Sequence, residues 1–149
     1  MDLVMRRRVV GTLALLTLST SSLALAMATR HIAWDAMIMG KDGSKIRGIA
    51  EMVAGKSAGT TAVTVSYKSD TPGVTRPWHV HVGSCAKTGP ILGGAAAYPP
   101  IKVSAAGTAE GKATLRLAVP DSGEFYVSIH DSPTNMSKVV ACGDMLLGD

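Results

Sequence analysis

The residues able to do chemistry gather in the second half of this chain. Trp78-His79-Val80-His81 leads into Gly83-Ser84-Cys85, and Ser128-Ile129-His130 precedes Val140-Ala141-Cys142-Gly143-Asp144. Alternate side chains of an extended strand share a face, so His79 and His81 project together with Cα atoms roughly 7 Å apart. That spacing lets two imidazoles reach one metal ion, and His130 closes another strand-like run that can supply a third. Three imidazoles suit Cu(II), with Zn(II) next, because imidazole serves both ions. Three nitrogens and a water would leave an open coordination position. The bland alternative is three ordinary strand histidines with no metal between them.

The elements that must position these residues begin after an address segment. Arg6, Arg7 and Arg8 form a basic start, residues 9–25 carry no charge, and Ala24-Leu25-Ala26 and Ala26-Met27-Ala28 both fit a small-x-small cleavage pattern. Residues 1–28 therefore read as a secretory signal, cut after Ala26 or Ala28, ahead of one domain over 29–149. The rival is a retained anchor, but the apolar run is of minimal spanning length and lacks a basic stop. Cleavage leaves no membrane span and sends the domain to the periplasm or the medium. It also lowers the net charge from +4 to +2, because the leader holds three Arg and one Asp. The basicity is thus largely the leader's. With no Lys/Arg cluster interleaved with aromatics, a nucleic-acid partner is excluded.

Export also bears on Cys85 and Cys142, the two cysteines of the chain. An oxidising compartment and an even count favour a bridge between them, against two free thiols or thiolate metal ligands. The bridge would close a loop of nearly sixty residues, worth about 4 kcal/mol in the chain-entropy model. A cut after Ala28 would leave Thr29-Arg30-His31 at the amino terminus. There the amine, two amides and the His31 imidazole can form a square-planar Cu(II) or Ni(II) site. A cut after Ala26 removes it.

The domain itself reads as strands and turns. Apolar, alternating or β-branched runs cover residues 31–39, 45–54, 60–67, 76–82, 113–119, 124–130 and 138–145. Gly40-Lys41-Asp42-Gly43, Ser69 to Gly73, and Pro120-Asp121-Ser122-Gly123 separate them as turns. Pro99 and Pro100 make the stretch after Gly93-Gly94 a loop or short edge segment over the site. Seven or eight short strands at near-regular spacing predict an all-β antiparallel sandwich or Greek-key barrel. Within it, Met37 and Met39 alternate on the first strand with Met52 nearby; thioethers hold Cu(I), though apolar strands also use Met as filler. Asp131 is a candidate acceptor for the His130 ring, or simply a turn former. Asn135-Met136-Ser137 has the form of a glycosylation acceptor. No Gly-x-Ser-x-Gly elbow and no phosphate-binding glycine loop is present.

His79-Val80-His81 before Gly83 and Cys85, Gly89-Pro90, the Phe125 to His130 strand and Ala141-Cys142-Gly143-Asp144 together resemble the copper/zinc superoxide dismutase superfamily. The resemblance spans nearly all of the domain and implies an eight-stranded Greek-key β-barrel. It matches His79, His81 and His130 to three of the family's four copper ligands, and Cys85 and Cys142 to its intrasubunit disulfide. The departures are specific. Residues 86–129 contain no histidine, so the bridging ligand and the zinc site of the family are expected to be absent. Val139 stands where the family has its active-site arginine, with Lys138 beside it. The expectation is therefore an exported protein binding one copper ion (Cu2+) for copper handling or tolerance. The alternatives are a copper-dependent dismutase acting on superoxide with a reduced site, and a structural or interaction domain without a metal.

Overall fold

A hairpin opens the fold. Ala33–Gly40 (β1) and Arg47–Ala54 (β2) pair antiparallel, with Asp35 opposite Glu51 and Met37 opposite Ile49. The turn between them takes a left-handed backbone at Asp42 (φ 50°) and Gly43 (φ 86°). Asp and Gly are the residue types that tolerate this conformation best. Thr61–Lys68 (β3) pairs with β2, and Ala109–Leu115 (β7) pairs with β3. Between them lie Thr75–Arg76 (β4), Trp78–Val82 (β5) and Ile101–Lys102 (β6). Phe125–Ser132 (β8) and Asn135–Leu147 (β9) close the chain. This computed structural model describes residues 31–148. The expected leader 1–28 and its cleavage positions lie outside the described residues.

The fold is all-β: one curled antiparallel sheet of seven strands in the order β5-β8-β9-β1-β2-β3-β7, with a two-stranded β4-β6 ladder beside it. Pro77 separates β4 from β5 because it has no N–H for a ladder. Counted together as one bent strand, β4 and β5 bring the total to the expected eight. The chain crosses from β3 to β5 and returns from β7 to β8, which are the long connections of a Greek key. Backbone hydrogen bonds from Val82 N to Pro90 O and from Leu92 N to Val80 O lay residues 90–92 along the free edge of β5. Residues 90–92 thus extend the curled sheet past β5, ahead of the loop that carries Pro99 and Pro100. No helix among the described residues is long and apolar enough to cross a membrane.

Alternation sorts the side chains. Trp34, Ile38, Met52, Val63, Trp78 and Val127 point inward and are almost fully buried. Each such side chain stabilises the fold by about 1.5–3 kcal/mol. Trp34 meets Phe125 edge to face at 5.0 Å and its indole N–H donates to Pro120 O at 2.8 Å. Two elements differ from their sequence readings. The strand expected at 113–119 runs instead over Ala109–Leu115, where Ala109, Gly111, Ala113 and Leu115 are buried and the residues between are exposed. Glycine and alanine carry little β signal, so the strand's first half was hidden. The strand expected at 138–145 runs instead over Asn135–Leu147, closing a tight hairpin with Ser132 opposite Asn135. Met37 and Met39 point outward while Met52 points into the core, so the three thioethers do not gather.

Candidate metal centre

Register brings the histidines together. In the β5–β8 pair, His79 lies opposite Ser128 and His81 opposite Tyr126, so all four share the outer face. His130 follows Ser128 by two residues and joins that face. A register shift in β8–β9 falls at Ile129/His130, and the His130 amide donates to Pro77 O at 2.8 Å, which ties its backbone to β5. One ring nitrogen from each of His79, His81 and His130 lies within 4.8 Å of the other two. His79 Nδ1 is 3.1 Å from His130 Nε2. Tetrahedral nitrogens at about 2.0–2.1 Å from an ion sit about 3.3 Å apart. With no two of them farther apart than 4.8 Å, the nitrogens need a contraction of at most about 1.5 Å to close on one ion.

Backbone carbonyls choose which nitrogens are free. His81 Nδ1–H donates to Gly89 O at 2.9 Å, which leaves the Nε2 lone pair facing the cluster. That Nε2 is buried and has no hydrogen-bond partner. His130 Nδ1–H donates to Met136 O at 2.6 Å, again leaving Nε2 as the acceptor, with Ser128 Oγ 3.0 Å away. A hydrogen bond to one ring nitrogen fixes the tautomer and aims the other at a metal. The donor set is accordingly His79 Nδ1, His81 Nε2 and His130 Nε2. Gly89 can offer its carbonyl there because a Cβ at that position would collide with Val82 O. The Cys85–Cys142 disulfide, with Cα atoms 6.0 Å apart, fastens the loop that carries Gly89 to β9. The Cys85 amide adds a hydrogen bond to Asp144 Oδ1 at 2.6 Å.

Burial disfavours the charged form of two of the imidazoles. Burial pushes His79 down to about 4, helped by the neighbouring His130 and His81 rings. Burial also lowers His130, partly offset by its bond to the Met136 carbonyl. His79 is 4% exposed and His130 7%; His81 is half-buried and stacks on Tyr126 at 4.9 Å. Tyr98 closes the other side, its ring 5.5 Å from His79 and its hydroxyl donating to Leu92 O at 2.8 Å. With that hydroxyl engaged, Tyr98 is a wall rather than a ligand.

Asp131 does not orient His130. Its carboxylate accepts from Asn135 Nδ2 at 3.2 Å and sits 3.7 Å from Arg76 and 3.6 Å from Lys138. The Met136 carbonyl takes the role instead. His31 is exposed and lies apart from the cluster; Thr29 and Arg30, on which an amino-terminal site depends, lie outside the described residues. Sequence reading missed the bidentate Arg76–Asp70 pair at 2.6 and 2.9 Å, in which Arg76 also donates to Asp131 O at 2.5 Å. Its signal was an arginine two residues before the buried Trp78. The carbonyls of Gly89 and Met136 had no side-chain signal at all. Three imidazole nitrogens converging under partial cover make a centre that can hold a metal ion. No family model and no curated protein matches the chain.

Proposed function

We propose that the protein is an exported copper-binding protein that serves copper handling or tolerance through His79, His81 and His130. The observation that carries this reading is the buried, unpartnered Nε2 of His81, aimed at two further imidazole nitrogens. An unmatched buried acceptor costs about 1–3 kcal/mol, and a bound cation would repay it. Imidazole donors accept several divalent ions, and among these Cu(II) binds most strongly at a given nitrogen site. Export is supported by the disulfide, which persists in oxidising compartments, and by the leader-like residues 1–28.

Kinship with the copper/zinc superoxide dismutase superfamily belongs to the same proposal. It is supported by the Greek-key strand order, the His-x-His strand beside the late histidine, and the disulfide between loop and last strand. A copper ion held here would supply one-electron redox chemistry. The chain's own groups hold it: the Gly89 and Met136 carbonyls orient two rings, and Tyr98 and Tyr126 limit water. Val139 in place of a cationic side chain weakens attraction of an anion such as superoxide. This favours carriage over turnover.

Calorimetric Cu(II) titration of the oxidised protein tests the reading, beside a triple variant with His79, His81 and His130 changed to Ala. One equivalent bound by the native chain and lost in the variant is expected, with no large acceleration of superoxide decay. Copper binding that survives in the triple variant contradicts it. Fast dismutation abolished by His130→Ala would replace carriage with the enzyme reading.

A further inference from the structure

Beneath the three imidazoles lies a buried hydroxyl. Ser128 is 1% exposed. It stands on β8 directly opposite His79 on β5, with Cys142 opposite it on β9. Serine is mostly a surface residue, and a buried hydroxyl needs a hydrogen-bond partner. Among the described residues, the side-chain partner of Ser128 Oγ is His130 Nε2, at 3.0 Å. The direction of that bond follows from the other end of the ring. His130 Nδ1–H donates to Met136 O at 2.6 Å, so in the neutral ring Nε2 carries one lone pair and no proton. Ser128 must therefore donate, and its proton fills that lone pair. The same lone pair is the one His130 would give to a metal ion. The hydroxyl bond and a metal bond at this atom exclude each other.

We propose that Ser128 is a positioning residue whose hydroxyl competes with the ion for His130 Nε2 and so lowers the affinity of the centre. Resting on the copper-binding reading, this role supplies the regulation of the same site. When an ion takes the lone pair, the Ser128 proton loses its acceptor in a place shut off from water. A buried hydroxyl stranded in this way costs free energy equivalent to about 5- to 100-fold in a binding constant. When the ion leaves, the hydroxyl returns to Nε2 and keeps the ring aimed at the centre, while the Met136 carbonyl holds its far side. A hydrogen bond on each ring nitrogen fixes both the tautomer and the tilt of His130. Three imidazoles tempered by a competing hydroxyl give up their ion to an acceptor more readily than three imidazoles alone, which suits carriage. Direct ligation by the hydroxyl is disfavoured, because oxygen donors suit harder ions than those that imidazole favours.

Chelator-competition titrations with Cu(II) and with Zn(II) compare the oxidised native chain, Ser128→Ala and Ser128→Thr. Ser128→Ala should bind either ion about 5- to 100-fold more tightly. Ser128→Thr keeps a hydroxyl and should stay within about threefold of the native chain. Long-range proton–nitrogen spectra add a readout that a space-filling serine would not move. In metal-free Ser128→Ala the His130 Nε2 resonance should shift while Nδ1 keeps its proton. The native chain supplies a test that needs no variant: a slowly exchanging Ser128 hydroxyl proton correlated with His130 Nε2, lost on adding one equivalent of Zn(II). Circular dichroism reports that each variant is folded. Binding by Ser128→Ala that is equal to the native chain's overturns the proposal, and weaker binding replaces it with a hydroxyl that ligates the ion. A hydroxyl correlation that persists with the ion bound also overturns it. A native chain that takes up neither ion sinks the copper-binding reading itself, and the competition falls with it.

Discussion

His81→Phe separates a metal ligand from a structural histidine. In the native chain the His81 ring stacks on Tyr126 at 4.9 Å with 15° between planes, a contact that the planar, somewhat larger phenyl ring can keep. The substitution removes one hydrogen bond, from Nδ1 to Gly89 O, worth about 0.5–1.5 kcal/mol. It also removes the buried, unpartnered Nε2, whose desolvation costs about 1–3 kcal/mol. The metal-free variant should therefore be as stable as the native chain, or more so by up to about 2 kcal/mol. The metal response should move the other way. A ligand at a hundred times its dissociation constant stabilises the native chain by about 2.7 kcal/mol. The variant, with two imidazoles left, should gain little of this. Urea unfolding with and without Cu(II) reads both quantities. A metal-free His81→Phe that loses about 2 kcal/mol or more would refute the reasoning, because His81 would then be serving the fold.

Three other outcomes follow from the same geometry. Burial holds His79 at about 4 against about 6.5 in the unfolded chain, so below pH 6.5 the unfolded chain takes up a proton that the native one refuses. Metal-free stability should thus fall as pH drops from 6.5 towards 4, by on the order of 1–3 kcal/mol, in a pH series of urea melts; His79→Phe should flatten that slope. Replacing Cys85 and Cys142 by Ser should cost about 4 kcal/mol by the chain-entropy model. It should also weaken metal uptake about 10- to 100-fold, because the freed loop carries the Gly89 carbonyl that orients His81; titration of the variant under native conditions checks this. Arg76→Met should cost about 3–5 kcal/mol by stranding the buried Asp70 carboxylate, whereas Arg76→Met with Asp70→Leu should lose far less. A double-mutant cycle in urea measures the difference.

Much of the site was legible because strand periodicity is simple. His79 and His81 had to share a face once residues 76–82 were read as a strand, and His130 shared a parity with Tyr126 and Ser128. What stayed hidden depends on backbone atoms and on register. Which ring nitrogen of His81 is free is decided by Gly89 O, and of His130 by Met136 O, and a carbonyl leaves no mark in a sequence. Asp131 was the visible candidate because it is adjacent and acidic, yet a strand turns neighbouring side chains to opposite faces. Arg76 draws that carboxylate and backbone instead. The Ala109–Leu115 strand was half-missed because Gly111, which leaves room for Ile101, and the alanines carry little β-propensity.

The central claim is that three specific nitrogens face one another and take one ion. Long-range proton–nitrogen correlation spectra of uniformly 15N-labelled protein read the tautomer of every histidine ring and its change on adding a diamagnetic Cu(I) or Zn(II) ion. The account predicts Nδ1–H tautomers at His81 and His130 before the metal is added. On addition, His79 Nδ1, His81 Nε2 and His130 Nε2 should shift together at one equivalent, with His31 unmoved. An Nε2–H tautomer at His81, or metal shifts confined to His31, would contradict it.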